Sequence, residues 1–152
     1  MTLNEGLEAL GTDEYLHDGG MYCGVFEESV VKHVGFPSTL KRIEYSAFKN
    51  CKNLKDVQLP EQLEAIGLYA FSGSGLERVA TPQSVRAIHQ GAFFDCRGLK
   101  RATLNEGLEV LGTDQYLMGD KLWHGVFEGS GLTSIALPRT LQKIEYNTFY
   151  DC

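Results

Sequence analysis

The sequence predicts a mainly β solenoid of six short coils, and three features of the sequence indicate it. A phenylalanine recurs at almost constant spacing, one apolar pattern precedes each phenylalanine, and residues 2–51 reappear with changes as residues 103–152. Recurrence of this kind is the signature of architectures built from stacked copies of one unit. The recurring phenylalanines are Phe26, Phe48, Phe71, Phe93, Phe127 and Phe149.

The third copy shows the repeating unit most clearly, where residues 54–71 read LKDVQLPEQLEAIGLYAF. A unit of about 23 residues has too few apolar positions to enclose a core alone, so adjacent units must stack and share one. The whole chain is therefore predicted to be a single solenoid. Its predicted coils are residues 1–29, 30–53, 54–75, 76–98, 99–131 and 132–152.

Each coil is predicted to contain three elements in order. The first arm, Leu-x-x-Val-x-Leu, alternates over its last residues as a strand does, and the proline after it ends the strand. Neighbouring first arms, about 4.8 Å apart, are expected to form a parallel sheet. The second arm, Leu-x-x-Ile-Gly, is predicted to be shorter and extended. The Tyr-Ala-Phe segment is predicted to form a helical or 3₁₀ turn that carries the phenylalanine into the core.

This unit resembles the BspA-like leucine-rich repeats, whose motif runs LxxIxLPxxLxxIgxxAFxxC. The resemblance covers the whole chain and recurs in all six coils. It implies a right-handed leucine-rich repeat solenoid that serves in adhesion or protein binding, without a catalytic site of the family to transfer. Because such proteins are mostly surface proteins of bacteria and some protists, the resemblance also implies a location at the cell surface or a secreted protein.

Coils one and five carry matching insertions. Aligning residues 2–51 with 103–152 needs no gap and pairs 26 identical residues out of 50. The inserted loops, residues 12–24 and 113–125, read TDEYLHDGGMYCG and TDQYLMGDKLWHG. Their ends agree and their middles differ, which is typical of a loop that carries a binding function.

The variable loop tips are the first candidate binding residues. Aromatic and methionine side chains are enriched in protein interfaces. The alternative is that the loops fold back and pack on the edge of the solenoid. The candidates are Met21, Tyr22, Leu122, Trp123 and His124.

The outward side of the first arms is the second candidate. The outward column between the last two core positions is mostly small and uncharged, as at Gly35 and Ala80, so that a partner can approach closely. Repeat scaffolds commonly bind on such a face, although a merely solvated face is the alternative. Neighbouring arginines in the next column are able to hold a carboxylate in two-pronged fashion. The flanking candidates are His33, Asp56, Arg78 and Arg101.

The cysteines are predicted to be free thiols. Cys51, Cys96 and Cys152 share one column, but serines separate them, so that they lie about two strand spacings, or ~10 Å, apart. A disulfide requires α-carbons within about 7 Å. The histidines fall on different coils, and we therefore expect no metal site and no cofactor.

The sequence also argues against several functional classes. It contains no nucleophile elbow, P-loop, HExxH or dinucleotide motif, which indicates a non-enzymatic protein. The net charge of −6 disfavours nucleic acid as a partner. No apolar run approaches the ~20 residues that a membrane-spanning helix needs.

The leading hypothesis is a protein-interaction or adhesion module that presents a sheet face and two edge loops to a protein partner. One alternative is a structural repeat that self-associates end to end, because the chain begins inside a strand and stops at Cys152, as a fragment of a longer repeat array with uncapped ends would. A weaker alternative is glycan binding through the loop aromatics.

Overall fold

The structure is a computed structural model that describes residues 1–11, 23–112 and 124–152. Within these ranges, nine short strands pair in parallel to form two sheets. The strands are β1 (Ala9–Leu10), β2 (Arg42–Ile43), β3 (Ala65–Ile66), β4 (Arg78–Ala80), β5 (Ala87–Ile88), β6 (Arg101–Thr103), β7 (Val110–Leu111), β8 (Ser134–Ala136) and β9 (Lys143–Ile144).

The more extensive sheet lies on the second arms and not on the first arms as the sequence analysis expected. It has the order β1-β2-β3-β5-β7-β9 and therefore includes a strand from every coil. The first arms pair only as β4-β6-β8, with an isolated bridge between Thr2 and Gly35. Small inward residues, Thr81 and Ala102, accompany the pairing of β4 with β6, whereas the second coil, which forms only the isolated bridge, carries Phe36, whose ring packs edge-on against the core.

The expected helical turn is instead a run of reverse turns. In coil three, Ala70 N–H donates to Gly67 O and Ser72 N–H donates to Tyr69 O. The intervening amides of Tyr69 and Phe71 donate to coil four. Backbone amides along this segment therefore alternate between hydrogen bonds within the coil and hydrogen bonds to the next coil. Residues 1–11, 23–112 and 124–152 contain no helix.

Left-handed residues explain why this segment is not helical. Tyr69 and Gly73 have φ angles of 55° and 63°, and each is the third residue of a reverse turn, where a type II turn requires positive φ. An α-helix does not accommodate such residues. The position two residues after the phenylalanine has positive φ in every coil: Glu28, Asn50, Gly73, Asp95, Gly129 and Asp151.

The six phenylalanines form a single row, as the spacing predicts. Adjacent rings are stacked with centroids between 5.2 Å, for Phe93 and Phe127, and 6.0 Å, for Phe127 and Phe149. Phe48, Phe71, Phe93 and Phe127 are fully buried. The row thus joins all six coils into one core.

Candidate interaction surface

We call the outward side of the first arms the strand face. Strands β4, β6 and β8 form its centre. The parallel register places Arg78 beside Arg101 and Arg101 beside Ser134. It also aligns Ala80 with Thr103, so that small side chains border the charged column. The inward residues of β4 and β6 are buried and that of β8 is partly buried, and they fix which side chains point outward.

An ion pair between Asp56 and Arg78 joins coils three and four on the strand face. Asp56 Oδ2 accepts from Arg78 Nη2 at 3.0 Å and Asp56 Oδ1 accepts from Arg78 Nε at 3.3 Å. The hydrogen bond and charge of Arg78 lower the pKa of the Asp56 carboxyl, and Asp56 raises the pKa of Arg78. Because Arg78 is already engaged, a partner carboxylate that bound both Arg78 and Arg101 would have to compete with Asp56.

A second charge pair lies beside the first. Lys55 Nζ and Glu77 Oε1 are 4.0 Å apart, again linking coils three and four. At the next level of the stack, Lys100 and Arg101 of coil five are both cationic and exposed. Their neighbours in coil six are Thr133 and Ser134, which carry hydroxyl groups instead of carboxylates. The charge pairing of coils three and four therefore ends at coil five.

Two open grooves follow the strand face. The larger, of about 560 Å³, extends along β4 and β6 and includes Val79, Ala80 and Pro82. The smaller, of about 480 Å³, is lined by charged residues of coils three to five and by the hydroxyl groups of coil six. Asp56, Arg78 and Arg101 line both. Three of the four strand-face candidates thus come together.

The fourth strand-face candidate is His33. It is exposed on coil two and lines neither groove. Its backbone carbonyl accepts a hydrogen bond from the Met1 amino group at 3.2 Å. Its charge contributes, after Arg78, to the lowered pKa of Asp56.

Most of the loop-tip candidates lie outside the described residues: Met21, Tyr22, Leu122 and Trp123. His124 is described, and it packs on the solenoid. Its ring stacks on Phe94, with centroids 3.7 Å apart and planes at 17°, and meets Tyr69 edge-on at 6.2 Å. Its Nδ1 lies 2.9 Å from Glu128 Oε1. These contacts anchor the end of the second loop against coils three and four.

The shared loop ends have a structural role in both copies. Glu27 Oε2 accepts from the Gly24 amide at 2.9 Å, and Glu128 Oε2 accepts from the Gly125 amide at 2.8 Å. A Cβ atom at Gly125 would overlap the backbone of Asn147 in the next coil. Gly-Val-Phe-Glu therefore closes each loop by allowing close backbone approach, placing the phenylalanine in the row and satisfying the glycine amide.

Comparison with known proteins identifies the family. The profile of the BspA type leucine rich repeat region matches residues 21–152 with six copies. The chain belongs to this family of BspA-type leucine-rich repeats. No match was found among curated protein sequences.

Solved structures of three leucine-rich proteins have a similar fold. A leucine rich cell surface protein from Faecalibacterium prausnitzii matches 91% of this chain with a TM-score of 0.67 and 17% identity. The T. pallidum Leucine Rich Repeat protein matches 70% with a TM-score of 0.57 and 29% identity. A leucine-rich repeat protein from Bacteroides ovatus matches 74% with a TM-score of 0.52 and 20% identity. The matched regions span 31%, 46% and 36% of those chains.

The last residue of the BspA-type motif, the cysteine column, is held by hydrogen bonds between coils. The thiols of Cys51, Cys96 and Cys152 donate to a phenylalanine carbonyl of the preceding coil at 2.9, 3.0 and 3.2 Å. Ser74 Oγ lies 3.4 Å from Cys96 Sγ, and Ser130 Oγ lies 3.6 Å from Cys152 Sγ. All four cysteines are free thiols.

Neither a metal cluster nor a membrane-spanning helix occurs in residues 1–11, 23–112 and 124–152. The strand-face residues that the sequence analysis missed are Lys55, Glu77, Lys100 and Thr133. They occupy the column one residue before the candidates that it named, and a comparison of charge signs along that column would have shown them.

Proposed function

We propose that this BspA-type repeat chain is a non-catalytic module that binds a protein partner through the strand face, with the two inserted loops at its edge. The observation that carries the proposal is the exposed strand face itself. Its two grooves lie beside small side chains and are covered by no other described element. We also propose a location at the cell surface or outside the cell, which the family and the description of the F. prausnitzii neighbour support.

A bulky substitution on the strand face tests the proposal. Ala80→Trp would fill the larger groove, whereas Gln142→Trp places the same side chain on an exposed second arm that lines neither groove. Each variant, immobilised, is exposed to the extracellular proteins of its natural surroundings, and the captured proteins are identified by mass spectrometry. We expect Ala80→Trp to lose the partner and Gln142→Trp to keep it. Equal capture by both variants would exclude the strand face.

A loop exchange tests the contribution of the loops. Replacing residues 118–123 with the sequence of residues 17–22 keeps the shared loop ends and the packed His124, and changes only the tip. If the tips contact the partner, capture falls although the chain remains folded. Unchanged capture would remove the tip of the second loop from the proposed protein-binding surface.

A second candidate function, end-to-end self-association, is favoured by the outer face of coil six. Ile144 and Phe149 are 46% and 37% exposed, whereas the equivalent Ile88 and Phe93 are fully buried under a following coil. This apolar face fits a further coil, including one from a second copy. Sedimentation velocity over a concentration series would show self-association that Ile144→Asp abolishes. A monomer at every concentration would exclude it.

A further inference from the structure

The charges on coils three and four of the strand face neutralise one another. Lys55 lies opposite Glu77, and Asp56 is bound to Arg78. Opposite charges on adjacent parallel strands attract weakly when they are exposed, but they leave little net charge on this part of the surface. The charged side chains of coils three and four on the strand face are therefore paired with one another.

Coil five breaks this pattern. Lys100 and Arg101 are adjacent and exposed, and no carboxylate of the described residues forms an ion pair with either side chain. The Thr133 hydroxyl donates to the backbone carbonyl of Lys100 at 3.0 Å, and Ser134 is aligned beside Arg101. Because the Thr133 proton is committed to that carbonyl, two cations and the Ser134 hydroxyl remain as donors, and this combination matches the acceptor oxygens of a carboxylate.

The smaller groove concentrates positive charge on an otherwise acidic chain. Its charged lining residues are Lys55, Asp56, Glu77, Arg78, Lys100 and Arg101. These four cations and two carboxylates leave an excess of two positive charges (4 − 2 = 2), whereas the whole chain carries a net charge of −6. The groove therefore attracts anions, while the remainder of the protein repels polyanions such as nucleic acid.

We propose that this groove docks an acidic, extended peptide segment of the protein partner, with Lys100 and Arg101 binding its carboxylates. The inference rests on the proposed function and specifies its partner. The guanidinium of Arg101 holds one carboxylate by two hydrogen bonds, and Lys100 neutralises a second. Arg101 also borders the larger groove beside Val79 and Ala80, which accepts the small apolar residues that accompany the acidic ones.

Fluorescence anisotropy with defined peptides tests the proposal. The probe is a labelled peptide of alternating glutamate and alanine, and the matched uncharged peptide of alternating glutamine and alanine is its control. We expect the acidic peptide to bind the intact chain and the uncharged peptide not to bind. Binding should weaken at physiological salt because ions screen exposed charges over about 8 Å. Equal binding of both peptides would overturn the proposal.

Three variants locate the site. Lys100→Gln with Arg101→Gln should weaken binding of the acidic peptide roughly tenfold or more, because both charge-assisted contacts are lost. Arg139→Gln removes a positive charge from an exposed residue that lines neither groove and should leave binding unchanged. Asp56→Asn should tighten binding, because it releases Arg78 from its internal carboxylate. Similar losses in the double variant and in Arg139→Gln would overturn the assignment.

Two further measurements separate the alternatives. The first is competition with inorganic phosphate. Complete displacement of the peptide at low millimolar phosphate would indicate a general anion site and overturn the proposal. Capture of the natural partner by the double variant separates a failure of acidic-peptide docking from a failure of the proposed function. Capture that is lost with Ala80→Trp but retained by the double variant would reject acidic-peptide docking while leaving the strand face as the binding surface.

Discussion

Phe71 and Phe93 lie face to face in adjacent coils, with ring centroids 5.6 Å apart and ring planes 2° apart. Both rings are fully buried, and each also stacks on a phenylalanine on its other side. Neither coil encloses its ring alone. The relationship between these two residues therefore represents how every interior coil is stabilised by its neighbours.

Removal of a phenylalanine ring from the middle of the row should strongly destabilise the protein. Phe71→Ala is expected to lower the free energy of unfolding by about 3–5 kcal/mol, the range for truncating a buried aromatic residue. Phe149→Ala should cost clearly less, because Phe149 is 37% exposed and stacks on Phe127 alone within the row. Urea denaturation of the two variants measures the difference. Equal losses would contradict the structure of the row.

Gly91 should be required because the Tyr69 ring occupies the space where a side chain would begin. A Cβ atom there would overlap the Tyr69 ring, and Gly91 has a φ angle of +64°. We expect Gly91→Ala to destabilise the protein through both steric overlap and backbone strain. Adding Tyr69→Ser should recover the steric part, so the double variant loses less than the sum of the single losses. Strict additivity in thermal unfolding would contradict this contact.

The cysteines should differ in reactivity. Cys51 and Cys96 are buried, whereas Cys23 and Cys152 are exposed. A thiol reagent is therefore expected to modify Cys23 and Cys152 rapidly in the native protein, and the other two only after unfolding. Time-resolved labelling followed by mass spectrometry identifies the sites. Rapid labelling of Cys96 in the native protein would contradict its burial between coils.

Stability should fall at alkaline pH, partly through Cys96. Burial raises the pKa of this thiol to about 11 from its ordinary value of 9.0. The unfolded thiol loses its proton near pH 9, while the folded thiol keeps its proton until about pH 11, so the stabilisation it provides disappears across that interval. Cys96→Ser, which matches the serines elsewhere in this column, should show a shallower fall. Identical slopes in denaturation at pH 8 to 11 would contradict the assignment.

The phenylalanine row was predictable because residue spacing fixes which side chains stack. The turn geometry was only partly predictable. Asn50, Gly73 and Asp95 are residue types that favour positive φ, but Ser46 and Tyr69 also adopt it, and their identities give no such signal. Contacts with adjacent coils impose these conformations, and such contacts are visible only once the stack is assembled.

The strand face was predictable in outline because its residues occupy recurring columns. The arrangement of partners within it was not. The repeat spacing makes Arg78 and Arg101 neighbours, as the strand register shows, but it does not reveal that Asp56 reaches Arg78 from the other side. Side-chain direction decides between the two neighbours, and column spacing alone does not specify it.

Hydrogen–deuterium exchange of the intact chain and of Phe71→Ala tests most directly whether the coils share one core. The Phe48 amide donates to coil three, and the Phe71 amide donates to coil four. The shared core predicts that loss of the Phe71 ring accelerates exchange in coils two and four as well as in coil three. Acceleration confined to coil three would contradict the account, because it would mean that each coil is stabilised independently.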